Sequence, residues 1–156
     1  MKRAIATLGM LLTPAVGWAR ASFAVVEHRS NPVRELRFSE LRAYFTGTAT
    51  QWPDGSKVVL VERDPRSPAF QFLIDRLVKM SPRDYRRGLM NIEYRGETPV
   101  TLKILNTEGA ACKFVFNVPG AIALIETDSL ATAECSGVQL VRIDGKLPGE
   151  EGYRLK

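Results

Sequence analysis

Short runs of apolar and β-branched residues recur along this chain, at 23–26, 58–61, 121–126 and 138–143. Successive side chains of a strand point to opposite faces, so a run that is apolar throughout has two faces to hide. A sheet built from such strands needs covering on both sides. Helical patterns lie between the runs to supply that cover. Ser67-Pro68 provides an N-cap and a proline at the first helical position. Phe70, Leu73, Ile74, Leu77 and Val78 then share one helix face, with Gln71, Asp75, Arg76 and Lys79 opposite. Ser81-Pro82 opens a second helix, predicted to run to about Tyr94 and to stop at Arg95-Gly96, with Asp84 complementing its dipole. Ser39 is the expected cap of a shorter helix carrying Leu41, Tyr44 and Phe45, ended by Gly47. Strands alternating with helices predict an α/β domain with a mixed, largely parallel sheet. A chain of 156 residues holds one such domain and not two full lobes.

Punctuation fills in the rest. Ser30-Asn31-Pro32 breaks the first strand into a loop, and Trp52-Pro53-Asp54-Gly55 is a turn. Trp52 is expected to pack that turn against the sheet. Residues 107–118 carry two signals, a helix start at Thr107-Glu108 and strand-like alternation over 113–118. Residues 148–156 are polar and glycine-rich, and are expected to form a flexible C-terminal tail beyond a domain at 22–147.

Residues 1–21 have the layout of a secretory signal. Met1-Lys2-Arg3 is basic, 4–16 is apolar or small, and Ala19-Arg20-Ala21 places small residues before a cut after Ala21. The expected location is therefore the periplasm. Losing Lys2, Arg3 and Arg20 lowers the formal net charge from +5 to +2. The remaining basic stretches, Arg29, Arg34, Arg37 and Arg42, then Arg83, Arg86 and Arg87, are interleaved with acidic residues. They read as solvated helix faces, and no nucleic-acid partner is expected. In an oxidising compartment Cys112 and Cys135 are either a disulfide or two buried thiols, and their spacing does not choose between these.

Four segments carry a resemblance to a known family: Val25-Val26-Glu27-His28 leading to Asn31-Pro32; Ser39-Glu40-Leu41 with Tyr44-Phe45-Thr46-Gly47 and Trp52-Pro53-Asp54-Gly55; Ser67-Pro68-Ala69-Phe70; and Pro119-Gly120-Ala121-Ile122. In this order they resemble the type II periplasmic solute-binding proteins, in particular the short phosphate ABC transporter substrate-binding-protein-like group. The resemblance spans residues 23 to about 127 and implies a single three-layer domain corresponding mainly to one lobe of the larger two-lobed binders. It also implies a phosphate-type ligand, held in the family partly by a Ser-Gly-Ser/Thr-Gly loop at a helix start. Here that place reads Asp64-Pro65-Arg66-Ser67-Pro68, without glycine, and Pro68 removes one backbone donor.

The candidate anion site is this helix start: the Arg66 guanidinium, the Ser67 hydroxyl and the backbone donors of Ala69 and Phe70, with Arg63 close in sequence. Asn31 and Glu97-Thr98 are weaker candidates for the same rim. His28 is the single histidine, which leaves no histidine triad or multi-histidine metal site. No Walker A or dinucleotide-binding glycine loop occurs, so neither an enzyme nor a cofactor is expected. The expected function is an exported solute-binding-like protein taking phosphate or a similar small oxyanion for an ABC transport system. Its expected partners are a membrane transporter or another envelope protein. The alternative is a cell-envelope interaction or sensor module that kept the fold and lost the ligand.

Overall fold

A computed structural model describes residues 22–94 and 100–156. The expected export segment, 1–21, lies outside the described residues. In chain order the elements are β1 (Phe23–Glu27), β2 (Glu35–Leu36), α1 (Phe38–Phe45), β3 (Val59–Arg63), α2 (Pro68–Phe72) with a π-helical continuation (Leu73–Val78), α3 (Pro82–Tyr94), β4 (Thr101–Leu105), α4 (Glu108–Asn117), β5 (Ala121–Glu126), two 3-10 turns (Thr127–Ala131 and Ala133–Cys135), β6 (Gln139–Leu140) and β7 (Arg142–Ile143). The main sheet has the order β4-β3-β5-β1-β6, and β2 pairs with β7 in a separate ladder. β3 is parallel to β4 and β5, whereas β1 is antiparallel to β5 and β6. Four of the five main strands thus point one way, with β1 reversed. This is the mixed, largely parallel sheet that the alternation of elements predicts.

The two faces of the sheet make two cores. Val25, Leu60, Ile122 and Leu124 pack against Phe45 of α1, Phe70 and Leu77 of the α2 helix, and Tyr85 of α3. Ala24, Val26, Val61, Ala123 and Ile125 face the other way, onto Ala111, Cys112 and Val115 of α4. The alanines on this second face let α4 come close, which a row of larger side chains would prevent. The result is a three-layer α/β domain. A disulfide between Cys112 and Cys135 ties α4 to the 3-10 turn beside it.

Several local expectations change. α1 is capped by Arg37 rather than Ser39: Glu40 accepts from the Arg37 backbone N–H at 2.7 Å and from its guanidinium at 2.9 Å, so the helix starts at Phe38. Segment 107–118 is helical, because Thr107 Oγ1 accepts the Ala110 N–H at 3.1 Å and nucleates α4. Its strand-like alternation marks a helix face, with Val115 buried and Lys113 and Phe116 exposed. β4 is an additional strand; as a sheet edge with Thr101, Lys103 and Ile104 exposed, it lacks the unbroken apolar run of the inner strands. Segment 138–143 is divided at buried Val141, whose N–H reaches Val25 O at 3.0 Å before the chain leaves to pair with β2.

The C-terminal segment corrects the expectation of a flexible tail at 148–156. Tyr153 and Leu155 are 2% and 0% exposed and belong to the larger core. Leu155 O accepts the Phe23 N–H at 2.8 Å, and the Tyr153 hydroxyl donates to Phe23 O at 2.8 Å. Two apolar side chains among polar and glycine residues give no periodicity to read, yet they cover the start of β1. Leu155→Ala is expected to cost about 2–4 kcal/mol by urea unfolding, the range for a fully buried leucine. A cost below half a kilocalorie would return the segment to the status of a tail.

At the other end of β1, Glu27 is fully buried and accepts from Arg34 Nη1 at 2.9 Å. Burial pushes its carboxyl from 4.5 up to about 7, against the opposing pull of the Arg34 charge. A carboxyl raised in the folded state holds its proton more tightly there than in the unfolded chain. Its contribution to stability is therefore present at low pH and is lost as pH rises between the two values. Urea titrations are expected to show stability falling on the order of 3 kcal/mol from about pH 4.5 to about 7, then levelling. Glu27→Gln should flatten most of that fall; an unchanged profile would assign the titration to other groups.

Candidate functional site

β3 ends in Glu62-Arg63, and alternation sends these two charged side chains to opposite faces of the sheet. Both are buried, so each must find its partner on the helix that covers it. Glu62 accepts from the hydroxyl of Tyr85 on α3. Burial raises the Glu62 carboxyl, while Tyr85 and the Arg86 charge pull the other way. Arg86 also lies over the Phe70 ring, 5.7 Å from its centre. On the opposite face, Arg63 Nε donates to Glu108 Oε1 at 3.1 Å, Nη1 to Leu105 O at 3.3 Å and Nη2 to Asn106 O at 3.2 Å. Arg63 thereby clamps the end of β4 and the first residue of α4. Burial pushes the Glu108 carboxyl up, with Arg63 opposing and the Glu126 charge reinforcing.

The turn that follows is held by its own backbone and side chains. Asp64 N–H continues the ladder to Leu105 O at 3.1 Å. The Asp64 carboxylate accepts the Arg66 N–H at 2.9 Å, and Asp64 O accepts the Ser67 N–H at 2.8 Å. Gln71 Nε2 reaches back to Pro65 O at 2.7 Å. Ser67, buried, accepts the Phe70 N–H at 3.1 Å as the N-cap of α2. Pro68 has no donor, so Ala69 N–H is the first-turn donor left without a protein acceptor among the described residues. Arg66 is exposed, and among the described residues its side chain joins no ion pair. Chemically, the turn offers one exposed guanidinium, one backbone N–H and a hydroxyl already engaged as a cap. That set can hold a small anion by electrostatics and hydrogen bonds.

Arg66, Ser67, Ala69 and Phe70 thus lie together at the C-terminal end of β3. Asn31 does not join them. It is buried at the opposite end of the sheet, where its Nδ2 donates to Ala121 O at 3.1 Å and its Oδ1 accepts the Gly120 N–H at 2.8 Å. The reason is the reversal of β1. Its outgoing end, Glu27, lies beside Ile122 near the start of β5, level with Leu60, roughly 10 Å of strand from Arg63. Thr98, with Glu97, lies outside the described residues. Among the described residues, no three His, Cys, Asp or Glu side chains gather to hold a metal ion.

Asn31 belongs to a structural junction that also absorbs Trp52. The buried indole packs at a tilt against the Tyr44 ring, with centres 4.9 Å apart, and donates to Gly120 O at 3.1 Å. Gly120 has φ +84°, and a Cβ there would lie 2.3 Å from Lys57 O, so only glycine fits. Sequence reading missed Glu62, Tyr85, Arg86 and Glu108 at the site. Glu62-Arg63 directly after an apolar run was the available signal, because it extends a buried strand into charge. Two open depressions, of about 320 and 250 Å³, flank α1, and neither includes the 64–68 turn.

No family model and no curated protein matches the chain. Solved structures do. PstS from Borrelia burgdorferi aligns with a TM-score of 0.69 at 12% identity, over 86% of this chain and 54% of its own. An ABC-type phosphate transport receptor from Vibrio cholerae aligns at 0.60 and 19% identity, over 82% and 48%. A phosphate-binding protein from Stenotrophomonas maltophilia aligns at 0.59 and 13% identity, over 82% and 40%. The chain spans about half the length of these proteins. Its fold is that of one lobe of a phosphate ABC transporter substrate-binding protein, the periplasmic-binding-protein architecture that its sequence resembles.

Proposed function

We propose that this chain is an exported, solute-binding-like domain of the periplasm that captures phosphate or a similar small oxyanion at the turn between β3 and α2, for an ABC transport system. The observation that carries the proposal is the joining of Arg66, the Ser67 cap and the Ala69 N–H at the end of a parallel strand, in a fold shared with proteins named for phosphate. Capture is reversible and makes no covalent bond; a guanidinium and a backbone N–H both strengthen as acceptor charge increases. The Cys112–Cys135 disulfide supports an oxidising compartment. The chain spans about half the length of its structural neighbours, and delivery to a transporter calls for a surface that the transporter recognises.

One observation favours the alternative, an envelope interaction or sensor module without a ligand. Each of the three guanidinium nitrogens of Arg63 already donates a hydrogen bond inside the protein. On that reading Arg63 is purely a clamp, and the exposed turn serves as part of a contact surface.

Thermal unfolding with and without millimolar phosphate, at constant ionic strength, separates the two. A ligand at 100 times its dissociation constant adds about 2.7 kcal/mol, enough to raise the midpoint by several degrees. A rise given by phosphate but not by chloride, and reduced at least tenfold in affinity by Arg66→Ala, is the expected result. No shift, confirmed by calorimetry, would leave the interaction module as the function.

A further inference from the structure

We infer that the groove between β2, α1 and the loop at 49–53 is a second binding site, for a small organic ammonium ion with an apolar body. It lies beside the Trp52 junction, at the end of the sheet away from the 64–68 turn, and does not depend on the oxyanion reading. The groove holds about 250 Å³. Val33, Leu36, Ala43, Ala49 and Pro53 form its apolar walls, and Tyr44, Glu35 and Glu40 its polar lining. An apolar cleft with a few convergent polar groups is the usual form of a small-molecule site, and a small cleft selects a small guest.

Tyr44 is the residue that points to a ligand. It is 7% exposed, lines the groove, and packs its ring against Trp52. Buried tyrosines as a rule use their hydroxyl. Tyr85 donates to Glu62 and Tyr153 to Phe23 O, whereas the Tyr44 hydroxyl has no hydrogen-bond partner among the described residues. It is left for whatever enters the groove. Charge decides what that is. Both charged residues lining the groove are acidic. Glu40 lies one helical turn before Tyr44 and is shared with Arg37. Glu35 joins no ion pair and no side-chain hydrogen bond among the described residues. Arg142, its neighbour in the β2–β7 ladder, is turned instead to Glu150 at 3.7 Å and to Gly145 O at 3.4 Å. Burial raises the Tyr44 hydroxyl above the usual phenol range, and the charges of Glu40 and Glu27 push it the same way. The hydroxyl therefore stays neutral, in a negative potential, as an acceptor for an ammonium N–H.

The test is isothermal titration calorimetry of phenethylammonium chloride into the full chain at constant ionic strength. The alcohol 2-phenylethanol supplies the same body without charge, and butylammonium a smaller cation. Saturable binding of an ammonium is expected, about tenfold tighter than the alcohol, which is the scale of hydrogen bonds from a charged donor. The Trp52 indole N–H resonance should shift along the same titration, since its ring packs on Tyr44. Tyr44→Phe removes only the unused hydroxyl, so its thermal midpoint should hold while ammonium affinity falls about tenfold. Glu35→Gln should cost about threefold, as an exposed charge does. Equal affinity for the alcohol and the ammonium overturns the inference, as does wild-type affinity in Tyr44→Phe. Absence of both heat and a Trp52 shift with either ammonium also overturns it, and leaves the oxyanion reading untouched. Should Tyr44→Phe lose its fold, the alcohol comparison and Glu35→Gln decide, with wild-type affinity in Glu35→Gln counting against the site.

Discussion

β5 has no exposed face and no free edge. It lies between β3 and β1, and its first five side chains are buried on alternating sides. A strand so placed can satisfy its backbone only through both neighbours, and its side chains only through a helical layer on each face. The rest of the domain follows from this. α1, α2 and α3 cover Ile122 and Leu124, and α4 covers Ala121, Ala123 and Ile125. Polar work is displaced to the two ends of the strands. At one end Asn31, Trp52 and Gly120 lock the entry to β5; at the other, β3 runs out into the turn at 64–67.

The charges at the end of β3 show how a layered fold turns local sequence into long-range pairing. Glu62 and Arg63 are neighbours in the chain, yet they are separated by the thickness of the sheet and answer to different helices. Each is too buried to be left alone, so Tyr85 and Glu108 are recruited from segments more than twenty and forty residues away. The arrangement fixes the turn between two helical layers. It also leaves Glu62 Oε2 and Glu108 Oε2 without partners, a sign that satisfaction at this end is incomplete. At the far end, Glu27 has the same defect at Oε2 and is held against its burial by Arg34.

Much of this was legible in the chain. Ser67-Pro68 and Ser81-Pro82 open their helices as capping chemistry dictates, and the apolar face from Phe70 to Val78 is buried throughout, though its second half winds as a π-helix. Trp52 packs its turn, as its place in Trp-Pro-Asp-Gly implies. Less legible were features with no periodic signature. β4 is an edge strand whose exposed positions carry polar residues, and Tyr153 and Leu155 are two isolated anchors in a glycine-rich segment. The site divided in the same way. Arg66, Ser67, Ala69 and Phe70 lie within five residues and so remain together, whereas Asn31, expected on the same rim, is carried to the opposite end of the sheet by the reversal of β1.

What the sequence by itself determined is the set of elements and their faces. Periodicity, caps and turn residues act over a few residues, and a segment carries them wherever it is placed. Only the tertiary structure decided the reversal of β1, the split of 138–143 between two ladders, and the pairing of Arg63 with Glu108. Strand direction and buried charge pairing depend on which backbone edge and which helix arrive alongside. That choice minimises exposed apolar area and unpaired charge over the whole chain at once, so no local segment contains it.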